Sequence, residues 1–224
     1  RGRMTRIAER TVLFADLRGS TSLYERLGNA EATSVVTHTV NELGRSVVDS
    51  SGQVVKTLGD GLMAVFETPQ HAVQAAGQMH EALERLVTRG SAHGASTGLR
   101  AVALQVALAR GEIVEMGGDC FGDAVNVAAR LLDHAGDNET LLTDEVFAGL
   151  PREQQLRFRS LDWMHLRGRA EPVHVHLLGG KRAASDVVAT AFGAVAPAAE
   201  ADGIRLQWQR VGRVYSSLQL PVVL

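Results

Sequence analysis

The sequence has a single cysteine, Cys120, in 224 residues. No internal disulfide can form, and a reducing, cytoplasmic compartment fits. Charge of either sign is not in excess: the net value is −2, which gives no bulk pull toward nucleic acid or an anionic membrane. No apolar run approaches the roughly 20 residues that a spanning helix needs, so no membrane contact is expected from this segment. No signal peptide and no internal repeat are visible, and the first residue is Arg rather than Met, as in a segment cut from something longer.

What is there is ordinary for a soluble globular chain: 45% hydrophobic and 21% charged residues. The length allows one full domain of about 100–200 residues plus part of another. Residues 11–16 (TVLFAD) form a short apolar run ending in an acid, which predicts a buried strand delivering Asp16, broken by Gly19, Ser20 and Thr21. Val36, Val40, Leu43 and Val47 recur at helical steps between Ala30 and Ser50. Residues 53–58 and 62–66 flank Gly59-Asp60-Gly61, a hairpin signal. Thr68-Pro69 then opens a helix with the stripe Ala72, Ala76, Met79, Leu83 and Leu86, and residues 89–99 read as loop. Strands are predicted over 100–109 and 111–120, the second with a glycine break at 117–118. A helix over 123–134, a strand over 139–143, a short helix over 144–150 and strands within 156–178 follow. The early hairpin argues against an all-parallel doubly wound sheet and for a mixed sheet with helices on one face. Residues 181–202 are Ala-rich and weakly patterned, and alternation resumes over 204–211 and 214–224.

Two acids stand out. Asp16 ends a strand and Asp60 sits at a hairpin tip, both beside small residues. Two aspartates from separate elements could hold hard cations for phosphoryl chemistry. By spacing alone the simpler reading is a turn residue and a helix cap. Asn126 and Arg130 share a helix face, with Val125, Ala128 and Leu132 opposite. That face would suit a ribose and a phosphate, although in isolation a solvated surface is the simpler reading.

The combination is more specific. FADLRGST at 14–21, KTLGDG at 56–61, FGDAVNVAAR at 121–130 and LRGRAEPV at 166–173 resemble, in order, four motifs of the class III adenylyl/guanylyl cyclase catalytic domain. The resemblance runs from about Thr11 to Leu178. It implies an α+β fold, a ferredoxin-like mixed sheet with helices packed on it, over residues 10–180. It also implies an adenylate cyclase that makes cyclic AMP and pyrophosphate from ATP in a symmetric homodimer, with two Mg²⁺ or Mn²⁺ ions per active site. Asp16 and Asp60 match the metal-binding aspartates, Lys56 and Asp119 the adenine readers, Asn126 the ribose-orienting residue, and Arg130 the arginine that stabilises charge on the reacting phosphate. Arg167 stands where a phosphate-binding lysine is usual, which keeps the charge but changes its geometry. Glu112 stands where some relatives have an arginine, so no phosphate role is assigned there.

Adenine offers an acceptor at N1 and a donor at its amine, which a lysine and a carboxylate complement; guanine reverses that edge. Cys120 lies one residue beyond the base-reading position and is expected to be a small buried residue. The competing readings are a guanylate cyclase and a non-catalytic nucleotide-binding regulatory domain. His165, His174 and His176 are expected on a strand surface, His174 and His176 lacking a third metal ligand. Trp163 and Trp208 are expected to pack. Residues 204–224, after a linker over 181–203, resemble the opening strands of a forkhead-associated domain, which would imply a phosphopeptide partner.

Overall fold

The structure is a computed structural model that describes residues 5–92, 99, 102–179, 205–211 and 214–220. The chain divides into two compact units, Arg1–Gly179 and Gly180–Leu224. The first is built on strand β1 (Thr5–Arg18), followed by helices α1 (Ser20–Leu27) and α2 (Asn29–Asp49), strands β2 (Gln53–Thr57) and β3 (Gly61–Phe66), helix α3 (Pro69–Ala92) and strand β4 (Ala103–Met116). Then come β5 (Asp119–Phe121), α4 (Asp123–Leu132), β6 (Glu139–Thr143), α5 (Asp144–Ala148), α6 (Arg152–Gln155), β7 (Arg159–Met164) and β8 (Val173–Gly179).

The sheet order is β2-β3-β1-β4-β6-β8-β7, with β5 on β4. Its first four strands, with α1–α2 and α3 as crossovers, make the split βαββαβ unit expected of a ferredoxin-like sheet. Every pairing is antiparallel except β4 with β6, so the sheet is mixed. Residues 11–15 of β1 are apolar or small at every position because both faces are covered. Leu13, Ala15 and Leu17 meet α2 and α3 through Val36, Val40, Leu43, Ala76 and Met79. Val12 and Phe14 face the other way, into a core shared with Val127 and Leu131 of α4. Helices therefore cover both faces, not one: α4 is itself amphipathic and needs a sheet face of its own.

One expected break between strands is absent, and another leads directly into a helix. The strands predicted over 100–109 and 111–120 are largely one, since β4 runs unbroken through Gly111. A Cβ at Gly111 would lie 3.3 Å from the Cβ of Ala124, so the glycine makes room for α4 instead of ending a strand. Gly19, at φ 86°, does turn the chain, but straight into α1. The cap of α3 is as expected: the Thr68 hydroxyl accepts the His71 amide at 3.3 Å, with Pro69 in the first turn. That helix continues to Ala92, beyond the loop start expected at residue 89.

In the second unit, β9 (Arg205–Val211) and β10 (Val214–Leu220) pair antiparallel. The expected linker over 181–203 lies outside the described residues, as do the last four positions of the module expected after it. Among the described residues no helix is long and apolar enough to cross a membrane.

One half-buried group gives the fold a pH dependence. His80 of α3 has its Nε2 2.9 Å from the Thr140 hydroxyl on β6. Burial disfavours its charged form and lowers its pKa from 6.5 to about 4. The unfolded imidazole therefore takes up a proton that the folded one refuses across that window. Stability should fall as pH drops from about 6.5 to about 4 and should be insensitive to this group above it. Urea unfolding of wild type and His80→Gln across that range should show a shallower acid slope for the variant, which can still bond Thr140; equal slopes would contradict the assignment.

Candidate functional site

Asp16 lies near the end of β1, opposite Gly61 in the β1–β3 ladder. The Leu17 amide donates to the Asp60 carbonyl at 3.0 Å, and the Leu58 amide donates to the Gly61 carbonyl at 2.8 Å, closing the β2–β3 turn. A Cβ at Gly61 would stand 2.3 Å from the Ala15 carbonyl oxygen and 2.9 Å from Asp16 Oδ1. Only a residue without a side chain lets the two strands approach this closely, and the approach brings Asp16 beside Asp60. Both aspartates are half-buried. The hydroxyl of Ser20, the buried first residue of α1, donates to Asp60 Oδ2 at 2.6 Å and fixes that carboxylate.

Ser20 was not singled out from sequence. Its sequence signal is the Gly-Ser-Thr after β1, where a strand break is expected. The donor set at this corner is oxygen only, from two carboxylates on separate elements, and it fits a hard divalent cation. The nearby first turn of α1 has no side-chain cap, and a helix N-terminus favours an anion at the same corner.

Lys56 and Asp119 meet although 63 residues separate them. The β1–β4 ribbon continues past the end of β3, and β5, paired to the tip of β4, comes back against β2. Lys56 Nζ is 2.9 Å from both Asp119 oxygens, and Asp119 Oδ1 also accepts the Cys120 amide at 2.8 Å. The Lys56 hydrogen bond first, and the Cys120 amide second, hold the Asp119 carboxyl below its usual range. Cys120 is a small buried residue, as expected, and burial foremost, then Glu115 and Asp119, pushes its thiol up. Beside the pair lies a cavity of about 270 Å³ lined by Gln53, Val55, Val65, Gly118 and Asp119.

On α4, Asn126 is exposed and Arg130 half-buried. The helix buries Ala124, Val127, Ala128 and Leu131, a face rotated from the expected Val125, Ala128 and Leu132; Val125 and Leu132 are only partly covered. The rotation puts the small Ala124 and Ala128 against the sheet, where Gly111 leaves room. The Arg130 guanidinium lies over Gly168, where a Cβ would stand 2.9 Å from its terminal nitrogen. Gly168, at φ 77°, thus brings the exposed Arg167 next to Arg130. The loop is tied down by buried Leu166 and by Arg169, whose guanidinium pairs with both oxygens of Asp123 at the start of α4.

Three other expectations are corrected. His176 is buried, 4% exposed, because its ring stacks on Phe147 of α5. His174 and His176 do have a third potential ligand, Asp144, which is distant in sequence and reached only through the β6–α5 turn. Trp163 is 67% exposed and stacks on His174 instead of filling a core. His165 is exposed, just after β7. The side chain of Trp208 lies outside the described ones.

A family model described as the adenylate and guanylate cyclase catalytic domain matches residues 3–180. Among curated proteins, an adenylate cyclase of Anabaena cylindrica is 28% identical over 180 residues, covering 74% of this chain and 36% of that protein. An adenylate cyclase of Glutamicibacter nicotianae is 32% identical over 143 residues, covering 64% of this chain and 32% of that protein. The chain thus spans about a third of the length of these relatives. Among solved structures, the adenylyl cyclase CyaB from P. aeruginosa superposes with a TM-score of 0.71 at 21% identity, over 80% of this chain and 97% of that one. The guanylyl cyclase Cya2 superposes with a TM-score of 0.67 at 19% identity, over 78% and 93%. At these identities the superpositions establish the fold.

The close crossing at Gly61 is open to direct test. Gly61→Ala should separate β1 from the β2–β3 turn, lower the melting temperature and weaken Mn²⁺ binding by at least about tenfold, the scale seen when the support of metal ligands is disturbed. Calorimetry with Mn²⁺ measures both effects. A variant that melts and binds as wild type would show that the crossing does not position the acids.

Proposed function

The chain belongs to the adenylate and guanylate cyclase catalytic domain family, and from that premise we propose that it is an adenylate cyclase converting ATP to 3′,5′-cyclic AMP and pyrophosphate at a site shared by two copies of itself. One observation carries the reading: Asp16 and Asp60, from separate elements, converge at a crossing that only Gly61 permits. These two carboxylates would hold the divalent cations, Mg²⁺ or Mn²⁺, which when bound neutralise the triphosphate and acidify the ribose 3′-hydroxyl.

The other residues do the positioning. Lys56 donates to adenine N1, and Asp119 accepts from the adenine amine. The two already lie together on one edge, as two adjacent atoms of one base require. Asn126 orients the ribose. Arg130 stabilises charge on the reacting phosphate, and Arg167 binds phosphate oxygens beside it. No side chain need serve as a dedicated base, since a substrate phosphate or water can take the 3′ proton.

The register of β1 supports sharing between two chains. Asp16 is level with Gln105 of β4, whereas Asp119 is paired with Met116, which faces Thr5 at the other end of β1. A two-fold pair of chains, each offering its acids to the partner's Lys56, Asp119, Asn126 and Arg130, would unite the two sets twice.

Two outcomes are expected. Asp60→Ala and Arg130→Ala should each be inactive with ATP and Mg²⁺, yet an equal mixture should recover activity. If chains exchange freely, half the dimers are mixed and each has one intact site, so about a quarter of wild-type turnover returns. Lack of recovery, with mixed dimers verified by mass spectrometry, would refute the shared site.

Base choice is tested separately by Lys56→Glu combined with Asp119→Cys. A carboxylate set against the N1 acceptor, and a thiol where the amine needs an acceptor, leave groups covered by the base unsatisfied at about 1–3 kcal/mol each, so kcat/KM for ATP should fall at least about tenfold. An unchanged preference for ATP over GTP, measured by the cyclic product formed, would remove both residues from base reading.

A further inference from the structure

Asp144, His174 and His176 come together on the sheet face that carries α5. Asp144 opens α5, directly after β6, and the two histidines are two apart on β8, so both project to one side of the strand. Both imidazoles converge on one carboxylate oxygen. His176 Nε2 lies 2.8 Å from Asp144 Oδ1, and His174 Nδ1 lies 3.3 Å from the same atom. One ligand atom from each residue lies within 4.8 Å of the others.

We propose that Asp144, His174 and His176 form a second metal site, selective for a transition-metal dication of the Zn²⁺ type and separate from the Asp16–Asp60 corner. Four-coordinate Zn²⁺ with bonds of about 2.0–2.2 Å needs ligand atoms about 3.3 Å apart. The two observed separations, 2.8 and 3.3 Å, lie at or just below that value. Two imidazoles and one carboxylate are the three-ligand pattern that leaves one position for water or another donor. Nitrogen ligands also favour Zn²⁺ over Mg²⁺, which prefers the all-oxygen corner.

The surroundings orient the ligands. His174 Nε2 is 2.7 Å from the Ser160 hydroxyl on β7, which also accepts the Asp162 amide at 3.1 Å. When His174 donates its Nε2–H to the Ser160 hydroxyl, its Nδ1 lone pair is left to bind an ion shared with Asp144. A ligating histidine is commonly held by just such a hydrogen bond on its other nitrogen. Phe147 stacks on His176 with ring centres 3.8 Å apart, and Trp163 stacks on His174 at 5.3 Å. Both rings are therefore fixed from behind.

The site is distinct from the acid corner. Asp16 is level with Gln105, and Gln105 pairs with Glu139 at the start of β6, whereas Asp144 follows the end of that strand. An ion here would join α5 to the β7–β8 hairpin, whose connecting loop carries Arg167 and Gly168.

Zn²⁺ is titrated into the tag-free full chain in excess Mg²⁺, against a chromophoric chelator, while Trp163 emission is followed in a Trp208→Phe background. One Zn²⁺ should bind, change Trp163 emission and raise the melting temperature. Asp144→Asn and His174→Ala, the more exposed of the two histidines, should each weaken binding by at least about tenfold and abolish the emission change. Both should melt as the zinc-free wild type does. Asp16→Asn and Cys120→Ser should leave binding intact. The proposal is overturned if no Zn²⁺ binds, if binding survives both triad substitutions, or if it is lost with Asp16 or Cys120. Since cyclase turnover is not the readout, this result stands apart from the reading of the acid corner.

Discussion

The 14-residue antiparallel ladder of β1 with β4 is the constraint on which the rest depends. β1 lies between β3 and β4, and its apolar residues feed both cores. Its C-terminal end supplies Asp16, and the tip of the ribbon it forms with β4 carries β5 and Asp119. A slip of one residue in this ladder would turn Leu13, Ala15 and Leu17 toward α4 and Val12 and Phe14 toward α2, because side chains alternate along a strand. The burial of five apolar or small residues therefore fixes, by the same register, where an acid at each end of the ribbon points.

Local patterns were legible where period and punctuation agreed. The Asp-Gly hairpin, the Thr68-Pro69 helix start and the strand over 139–143 were read correctly because each rests on neighbours in sequence. Gly19 ends β1 as expected and turns the chain straight into α1. Gly111 lies inside β4, where two separate strands are expected, and provides clearance for a helix. Clearance is a relation between distant segments, so composition cannot reveal it. The buried side of α4 was misjudged for a related reason: several of its residues are small or apolar, and the partner surface selects among them.

The same distinction holds for the polar groupings. Asp16, Asp60, Lys56, Asp119, Asn126, Arg130 and Arg167 were picked out through ordered motifs, and the structure brings Asp16 to Asp60, Lys56 to Asp119 and the Arg167 loop to Arg130. Two supporting residues escaped notice. Ser20 acts through a side chain 40 positions away. Asp144 meets histidines some 30 positions later, across two strands and two short helices. Neither relation has a periodicity, and each exists only once the sheet has formed.

The mutual pairing of Lys56 and Asp119 bears on how such a pocket could diverge. Each group satisfies the other, and the pair is partly exposed, so parting the two for an incoming base costs little. Under their proposed roles, reversing the preferred purine requires changing both positions, and either change alone is unfavourable. An acid at position 56 would face Asp119 across a gap now bridged at 2.9 Å, while an uncharged residue at 119 would leave a lone ammonium. A lineage moving from one nucleotide to the other would have to pass through a pocket poor at holding both. Gene duplication, which relieves one copy of its duty, would ease that passage more than gradual drift.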